Sequence, residues 1–388
     1  MRIGRWHGMA LVIMLLGGVL APSAALAQAG FYVTPSLSIG EVYDDNIFSR
    51  ATQRKNDFIA RFTPTVQAGD QSEPLTLLGR YSFDAERYEN HPELTKAQMR
   101  QRASIEFRYL PIRPLTLSIN GNYTKTQTPQ DLNVLTGVEA ERRRAQSYSF
   151  APSIAYRFDP RTSTIGAYTF TRSELAGSVS TDTHTANWDL NRQITLQDIG
   201  TLGYTFRHFI FGGGLSAVGD TTTTSHVGSL GWTHEFTPLT RMILRGGARV
   251  TKGSADPEVS AEIIHTLQSG TLSFTYSRSQ NTNIGQSGTV DTESFSASIT
   301  HQPLRFLHTS ATPSYYRSTR GTSEVKVYGL SLQATYQIAE WLNLVGSYRF
   351  NYQQGIFNAT TAPSGGSGDI YHNIALLSFV ATYPYRVY

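Results

Sequence analysis

Apolar and polar residues alternate one by one through most of this 388-residue chain, and few folds tolerate that pattern. From Leu75 to Ala85 the odd positions Leu75, Leu77, Gly79, Tyr81, Phe83 and Ala85 are apolar or small, while Thr76, Arg80, Ser82 and Asp84 fall between them. The phase continues in Ala103, Ile105, Phe107 and Tyr109 against Arg100, Arg102, Ser104, Glu106 and Arg108. It returns in Leu115-Leu117-Ile119-Tyr123, Tyr148-Phe150-Ile154-Tyr156-Phe158, Leu202-Tyr204-Phe206 and Met242-Leu244-Ala248-Val250. Later come Leu272-Phe274-Tyr276, Phe295-Ala297-Ile299, Leu330-Leu332-Ala334-Tyr336 and Leu342-Leu344-Tyr348-Phe350. A period of two puts one apolar and one polar face on an extended strand.

The connections between these segments alternate in length. Short ones carry turn chemistry: Asp70 to Pro74, Pro111 to Pro114, Asp159 to Arg161, Thr237-Pro238, Ser269-Gly270, Gln302-Pro303 and Ala339-Glu340. Long ones are polar: Asp44 to Asn56, Thr126 to Arg144, Phe211 to Asp220, Asn281 to Thr289 and Gln353 to Asp369. Short periplasmic turns with longer extracellular loops mark outer-membrane barrels. The pattern predicts an all-β fold, a transmembrane antiparallel β-barrel of about 18 strands, or 16 if the weak segments near Thr185 and Val259 are misread. An even number puts both termini in the periplasm. A soluble sandwich would have shorter strands with a Val, Ile and Leu-rich face, and a β-helix would show a short fixed repeat. Aromatic residues cluster at segment ends, as girdles do: Tyr81/Phe83/Tyr88, Phe107/Tyr109, Tyr156/Phe158, Phe206/Phe209/Phe211, Tyr315/Tyr316 and Tyr383/Tyr385. The chain ends on Tyr388, but Pro384 and Arg386 disturb the alternation, so the expected last strand is His372 to Tyr383.

Residues 1–27 read as a cleaved secretory signal, with Arg2 and Arg5 ahead of an apolar stretch from Met9 to Ala21 and Ala25-Leu26-Ala27 at the cleavage site. The barrel then occupies 28–388, with too few residues before the first strand for a plug domain. There is no cysteine, which excludes a disulfide framework and a thiolate metal site. Beyond the signal, 31 Lys+Arg face 29 Asp+Glu, a balance that argues against nucleic-acid binding. Hydrophobic content is 39%, and the 33 Gly bring it close to the usual share, but the apolar residues are spread thinly and evenly, which suits a shell better than a solid core.

The segment from Pro35 to Phe48 reads Pro-Ser-Leu-Ser-Ile-Gly-Glu-Val-Tyr-Asp-Asp-Asn-Ile-Phe. It resembles the opening strand of the beta-barrel porin 2 family, in which a strand ends in Glu-x-Tyr-x-Asp-Asn, here Glu41, Tyr43, Asp45 and Asn46. The resemblance is sharp over about fourteen residues and architectural elsewhere. It implies an outer-membrane protein associated with exopolysaccharide or capsule production. The partners expected are outer-membrane lipid and lipopolysaccharide, the barrel-assembly machinery, and polysaccharide or its export proteins.

Arginine is in excess on the polar parity: Arg80, Arg100, Arg102, Arg108, Arg157, Arg207, Arg245, Arg249 and Arg349. The acids Asp84, Glu86, Glu106, Asp189 and Glu262 share it. These side chains either bias an open channel toward anions or pair into a ladder that stiffens the wall. Phe209 and Tyr316 also fall on that parity, too few for a sugar-stacking track. Glu41, Asp44, Asp45 and Asn46 offer either an oxygen-rich Ca²⁺ site or a turn that caps its own backbone; the turn is favoured. His208 and His265 sit on apolar parity, and His184, His226, His301, His308 and His372 look scattered over strand ends and turns. No Gly-x-Ser-x-Gly elbow or His-Glu-x-x-His motif occurs, and Gly212-Gly213-Gly214 does not continue as a nucleotide fingerprint. No enzyme, cofactor or metal is expected. A porin-like channel is the favoured function; a non-transporting barrel, either a lipid-modifying enzyme or a surface-structural protein, is the alternative. Folding Thr126 to Arg144 or Gln353 to Asp369 into the lumen would constrict it, and fixing them outside would leave it open.

Overall fold

The computed structural model describes residues 30–212, 221–357, 368–383 and 385–386. The signal segment, Gly213-Gly214, most of the loop from Gln353 to Asp369, Pro384 and Tyr388 lie outside them. The strands are β1 (Phe31–Asp44), β2 (Asp57–Gln71), β3 (Leu75–Tyr88), β4 (Lys96–Ile112), β5 (Leu115–Thr126), β6 (Ala145–Asp159), β7 (Thr162–Leu175), β8 (Ser180–Gln193) and β9 (Asp198–Gly212). They continue as β10 (Thr221–Thr237), β11 (Thr240–Thr251), β12 (Ser254–Leu267), β13 (Gly270–Asn281), β14 (Val290–Leu304), β15 (Leu307–Arg320), β16 (Ser323–Ala339), β17 (Leu342–Gln354) and β18 (Ile370–Thr382). A two-residue β19 (Tyr385–Arg386) pairs with Tyr32 and Val33.

Every strand pairs antiparallel with the next, and β18 returns to β1, with Ser36 opposite Thr382 and Asp44 opposite Ile374. The sheet is thus a closed antiparallel barrel of 18 strands, and closure leaves no free edge. Following the pairing once around the wall returns to β1 about 22 residues further along, which sets a strand tilt near 40° and a backbone radius of about 17 Å. The weak segments near Thr185 and Val259 are full strands, β8 and β12. Gln302-Pro303 lies inside β14, where the register shifts between His301 and Leu304 to accommodate it, and the turn falls at Arg305-Phe306.

Connections at one end, the turn end, are two to four residues long. At the opposite, loop end they range from two-residue turns after β11 and β15 to the 18-residue segment 127–144. Phe31 and Thr382 both lie at the turn end.

The outer face is a band of exposed Ile, Leu, Phe, Tyr and Trp that includes Ile105, Phe150, Leu202, Leu230, Phe274 and Leu377. Water would not tolerate so continuous an apolar surface, whereas a bilayer requires it. Six aromatics on the outer face sit directly cross-strand in one row: Tyr276, Phe295, Tyr315, Tyr328, Tyr352 and Tyr371, with neighbouring ring centroids 4.4–6.3 Å apart. They form the girdle nearer the loop end.

Four of the expected girdle residues face inward instead, among them Tyr316, which packs against the cluster around Val138. Tyr88 is 2% exposed and binds Glu86 and Arg142 inside the barrel. Phe209 and Phe211 stack on each other on the inner parity. Near the loop end the polar face becomes apolar, because loops that fold inward need a small core of their own. Val42, Ile59, Tyr88 and Ile47 make one cluster; Val138, Val290, Val325, Val327 and Phe357 make another.

Candidate functional site

The segment 127–144 leaves β5 and returns to β6, yet its partners lie on strands across the barrel. It opens with a 3-10 turn at Pro129–Leu132 whose Pro129 and Gln130 are buried. Thr136 Oγ1 donates to Asn283 Oδ1 at 2.6 Å, in the β13–β14 loop, and Ile284 N donates to Asn133 Oδ1 at 2.9 Å. The Glu139 amide donates to Gln353 Oε1 of β17 at 2.7 Å, and Asn351 Nδ2 donates to Glu139 Oε1 at 2.9 Å. Arg142 Nη2 donates to the Tyr88 hydroxyl of β3 at 2.7 Å. β13 is eight strands from β5 around the closed sheet, so Asn283, which follows it, and the inward-facing Val290, Val325 and Val327 can meet this loop only if the loop crosses the lumen. Gly137 makes the crossing possible: its φ is +64°, and its Cα lies so close to Tyr316 of β15 that an added Cβ would sit 2.8 Å from the ring.

Charge fixes the loop on both sides. Asp131 lies between Arg100 of β4, at 3.9 Å, and Arg349 of β17, at 3.5 Å, and accepts from Thr126 Oγ1 at 2.9 Å. Arg100 also donates to Thr128 Oγ1 at 2.8 Å. Burial alone would push the Asp131 carboxyl up; the two guanidiniums outweigh it and hold the group below its ordinary value. Behind this clasp, Glu86 takes Arg61 at 2.9 Å and the Tyr88 hydroxyl at 2.7 Å, while Asp84 takes Arg102 at 3.6 Å and Thr63 Oγ1 at 2.9 Å. A second clasp is made by His372 of β18, between Asp44 at 2.9 Å and Glu139 at 3.3 Å. Ions this far from water need such partners; an unpaired one would cost several kcal/mol, of order 3–5.

All nine arginines read from the alternation fall on the inner parity, and they divide into two groups. Arg100, Arg102, Arg207, Arg245, Arg249 and Arg349 have carboxylate partners: Arg207 meets Glu258 at 2.6 Å, Arg245 meets Asp189, and Arg249, only 3% exposed, meets Asp256, Glu258 and Asp291. Arg80, Arg108 and Arg157 are exposed, toward the turn end, with no ion pair to another described residue, and Arg102 and Arg349 remain half open beneath the loop. Glu106 is an exposed acid on the same wall. The ladder and the free basic surface, posed as alternatives by the sequence, therefore coexist at different heights.

Glu41, Tyr43, Asp45 and Asn46 sit at the seam where the last strand meets the first. Asp45 accepts from the Asn373 amide and side chain, both at 2.7 Å, and Asn46 Nδ2 donates to the Tyr371 and Arg50 carbonyls at 3.0 and 2.8 Å. Asp44 caps the Asn46 amide at 2.9 Å. Tyr43 packs on Phe58 from outside, and Glu41 is exposed on the outer face. The capping role predicted for this turn is present, and the carboxylates also fasten the seam.

Arg61, Asp131, Glu139, Arg142 and His372 escaped the sequence reading as site residues. Arg61 had a signal, since it shares parity with Thr63 and Thr65; the loop residues had none, because alternation says nothing about a loop. His184, His208 and His226 form part of the outer face, where Tyr168 binds His184 and Tyr204 binds His226. Ser269 and His301 are 3.0 Å apart at a turn. Among the described residues no group of three or more His, Asp or Glu is placed to hold a metal ion.

No family model matches the chain, and no curated protein matches it. Similar solved structures include the siderophore receptor PirA from Pseudomonas aeruginosa, 10% identical with a TM-score of 0.45 over 90% of this chain and 80% of that one. The siderophore receptor PirA from Acinetobacter baumannii is 8% identical, with a TM-score of 0.49 over 93% of this chain and 81% of that one. Acinetobacter baumannii OccAB4 is 8% identical, with a TM-score of 0.47 over 92% and 99%. Nothing about kinship or cargo follows from likenesses at that level. The strand register itself defines an all-β, closed barrel of 18 antiparallel strands, an architecture consistent with an outer-membrane location.

Proposed function

We propose that this protein is an outer-membrane channel for small polar solutes, selective for anions and gated by the β5–β6 loop. The observation that carries the reading is the crossing of the lumen by residues 127–144, pinned through Asp131 to arginines on β4 and β17 and through Thr136 to the β13–β14 loop on the far side. An 18-strand barrel is wide enough for an aqueous path, and the exposed Arg80, Arg108 and Arg157 below the loop give that path a basic wall. In this reading the loop end is extracellular, the turn end periplasmic, and the described conformation is the closed one. Opening requires the loop to leave Arg100, Arg349 and His372, whose counter-charges then face the solute.

The likeness to the beta-barrel porin 2 family, with its link to polysaccharide production, rests on the phrase from Pro35 to Phe48. Three residues of that phrase are engaged in caps and seam bonds, so the phrase speaks for barrel closure more than for cargo. Purified protein in a planar bilayer tests the channel. Anion-selective steps that grow when residues 130–142 are removed support it; a barrel that stays non-conducting after the removal is a non-transporting one.

A further inference from the structure

We infer that the outer wall of β13–β16 carries a binding site for a phosphorylated, multiply acylated lipid of the outer leaflet. The inference rests on the barrel spanning an outer membrane and not on the channel reading.

Two features of the outer face meet there. One step toward the loop end from the aromatic row, the register places Arg278, Glu293, Arg317 and Lys326 side by side on four successive strands. Arg278 and Arg317 share Glu293, at 3.6 and 3.7 Å, while Glu324 holds Arg317 at 2.6 Å and Lys326 at 3.0 Å. Arg317 and Lys326 are directly opposed across strands, an arrangement of like charges that is unfavourable without an anion between them. Glu293 and Glu324 supply two carboxylates for the three cations, and Asp291, the other acid of the notch, is taken by Arg249 at 2.7 Å. All three cations keep more than a third of their side-chain surface exposed, so each retains donors for a further acceptor. Arg278, Glu293, Arg317, Asp291 and Thr319 enclose a notch of about 230 Å³.

Below the notch, on the bilayer side of the girdle, lies an apolar trough of about 470 Å³ lined by Ala261, Ile263, Phe274, Ala297, Pro313 and the aromatic row itself. Ala261, Ala297 and Pro313 are small for a lipid-facing wall, and their smallness makes the depression. A guanidinium-bearing notch at headgroup height suits a phosphate, which arginine binds through two parallel hydrogen bonds. A trough continuing from it into the hydrocarbon layer suits acyl chains. Across the barrel, on β7, Arg172 is held by Glu174 at 2.6 Å and by Asp182 at 3.4 Å, one guanidinium matched by two acids.

The test is native mass spectrometry of the detergent-solubilised full chain, titrated with bis-phosphorylated lipid A, its dephosphorylated form and inorganic phosphate. The intact protein is expected to retain the phosphorylated lipid. Arg278→Ser with Arg317→Ser should weaken retention about tenfold, and Arg172→Ser should leave it unchanged. Ala297→Phe, which fills the trough and spares the notch, should also weaken it. Heat-modified mobility on gels confirms that each variant is folded; should the double variant fail to fold, Ala297→Phe and the dephosphorylated lipid still decide. Equal retention by the double variant, equal retention of the dephosphorylated lipid, or displacement of the lipid by equimolar inorganic phosphate would each overturn the assignment.

Discussion

At the loop end, Val325 and Val327 point inward, are 1% exposed, and pack under Val138 of the crossing loop. Toward the turn end, Arg80, Arg108 and Arg157 point inward too, but no described residue covers them. Both sets occupy the polar parity of their strands, so alternation alone treats them alike. The difference shows that inner wall and inner site are separate properties of a barrel. Parity decides which side chains enter the lumen, and the loops decide which of those remain in contact with water. Where a loop folds in, the wall supplies apolar sockets and ion pairs; where none does, it supplies bare charge.

The contrast can be broken most forcefully by removing residues 130–142. The expected result is a rise in conductance of roughly an order of magnitude, since the lumen then has the width of an open barrel of this size. Asp131→Ala should act nearly as strongly. It leaves the buried Arg100 with only the more distant Glu86, at 4.0 Å, and releases the half-open Arg349, at a cost to docking of about 2 kcal/mol, and is read as faster proteolysis within the loop and a higher open probability. The same carboxylate gives a pH dependence. Its docked pKa is depressed, so its contribution is complete above the undocked value of about 3.9 and is lost only as pH falls through the lower, docked value. Conductance should therefore be flat with respect to this group from neutrality to mild acid and rise below about pH 4, while Asp131→Ala shows no such rise.

Gly137→Val asks less of the loop but still unseats it. A branched side chain at φ +64° with a ring at 2.8 Å costs about 1–2 kcal/mol from backbone strain alone, and a partial increase in open probability is expected. At the turn end, Arg80→Glu with Arg108→Glu should reverse or abolish the preference for anions, measured as a shift in reversal potential under a salt gradient. Because those side chains have no ion pair to another described residue, the melting behaviour should change by less than about 0.5 kcal/mol.

Much of this barrel is written in its alternation. The outward set from Leu75 to Phe83, the inward arginines and the strand count all follow from a period of two, because a one-residue slip would put every apolar side chain in the lumen. Tyr88 looks like a girdle aromatic by residue type, but its even number puts it in phase with Asp84 and Glu86; parity carries the correct answer and aromatic identity obscures it. Val325 and Val327 break the polar phase opposite Tyr328 and Leu330, a visible sign that something packs inside. Asp131 and Glu139 gave no such sign. Their partners Arg349, Asn351 and His372 lie over 200 residues away, and no local rule connects a loop to the far wall of a cylinder.

The chain has no cysteine, which makes one cross-link decisive for the crossing loop. Thr136 and Asn283 share a 2.6 Å hydrogen bond, so Thr136→Cys with Asn283→Cys should form a disulfide under mild oxidation in the folded barrel. Single-channel recording is then expected to show conductance locked at its lowest level and released when reductant is added. Failure of the bridge to form in a correctly folded barrel, or a conductance indifferent to its formation, would place the loop outside the lumen and contradict the gate.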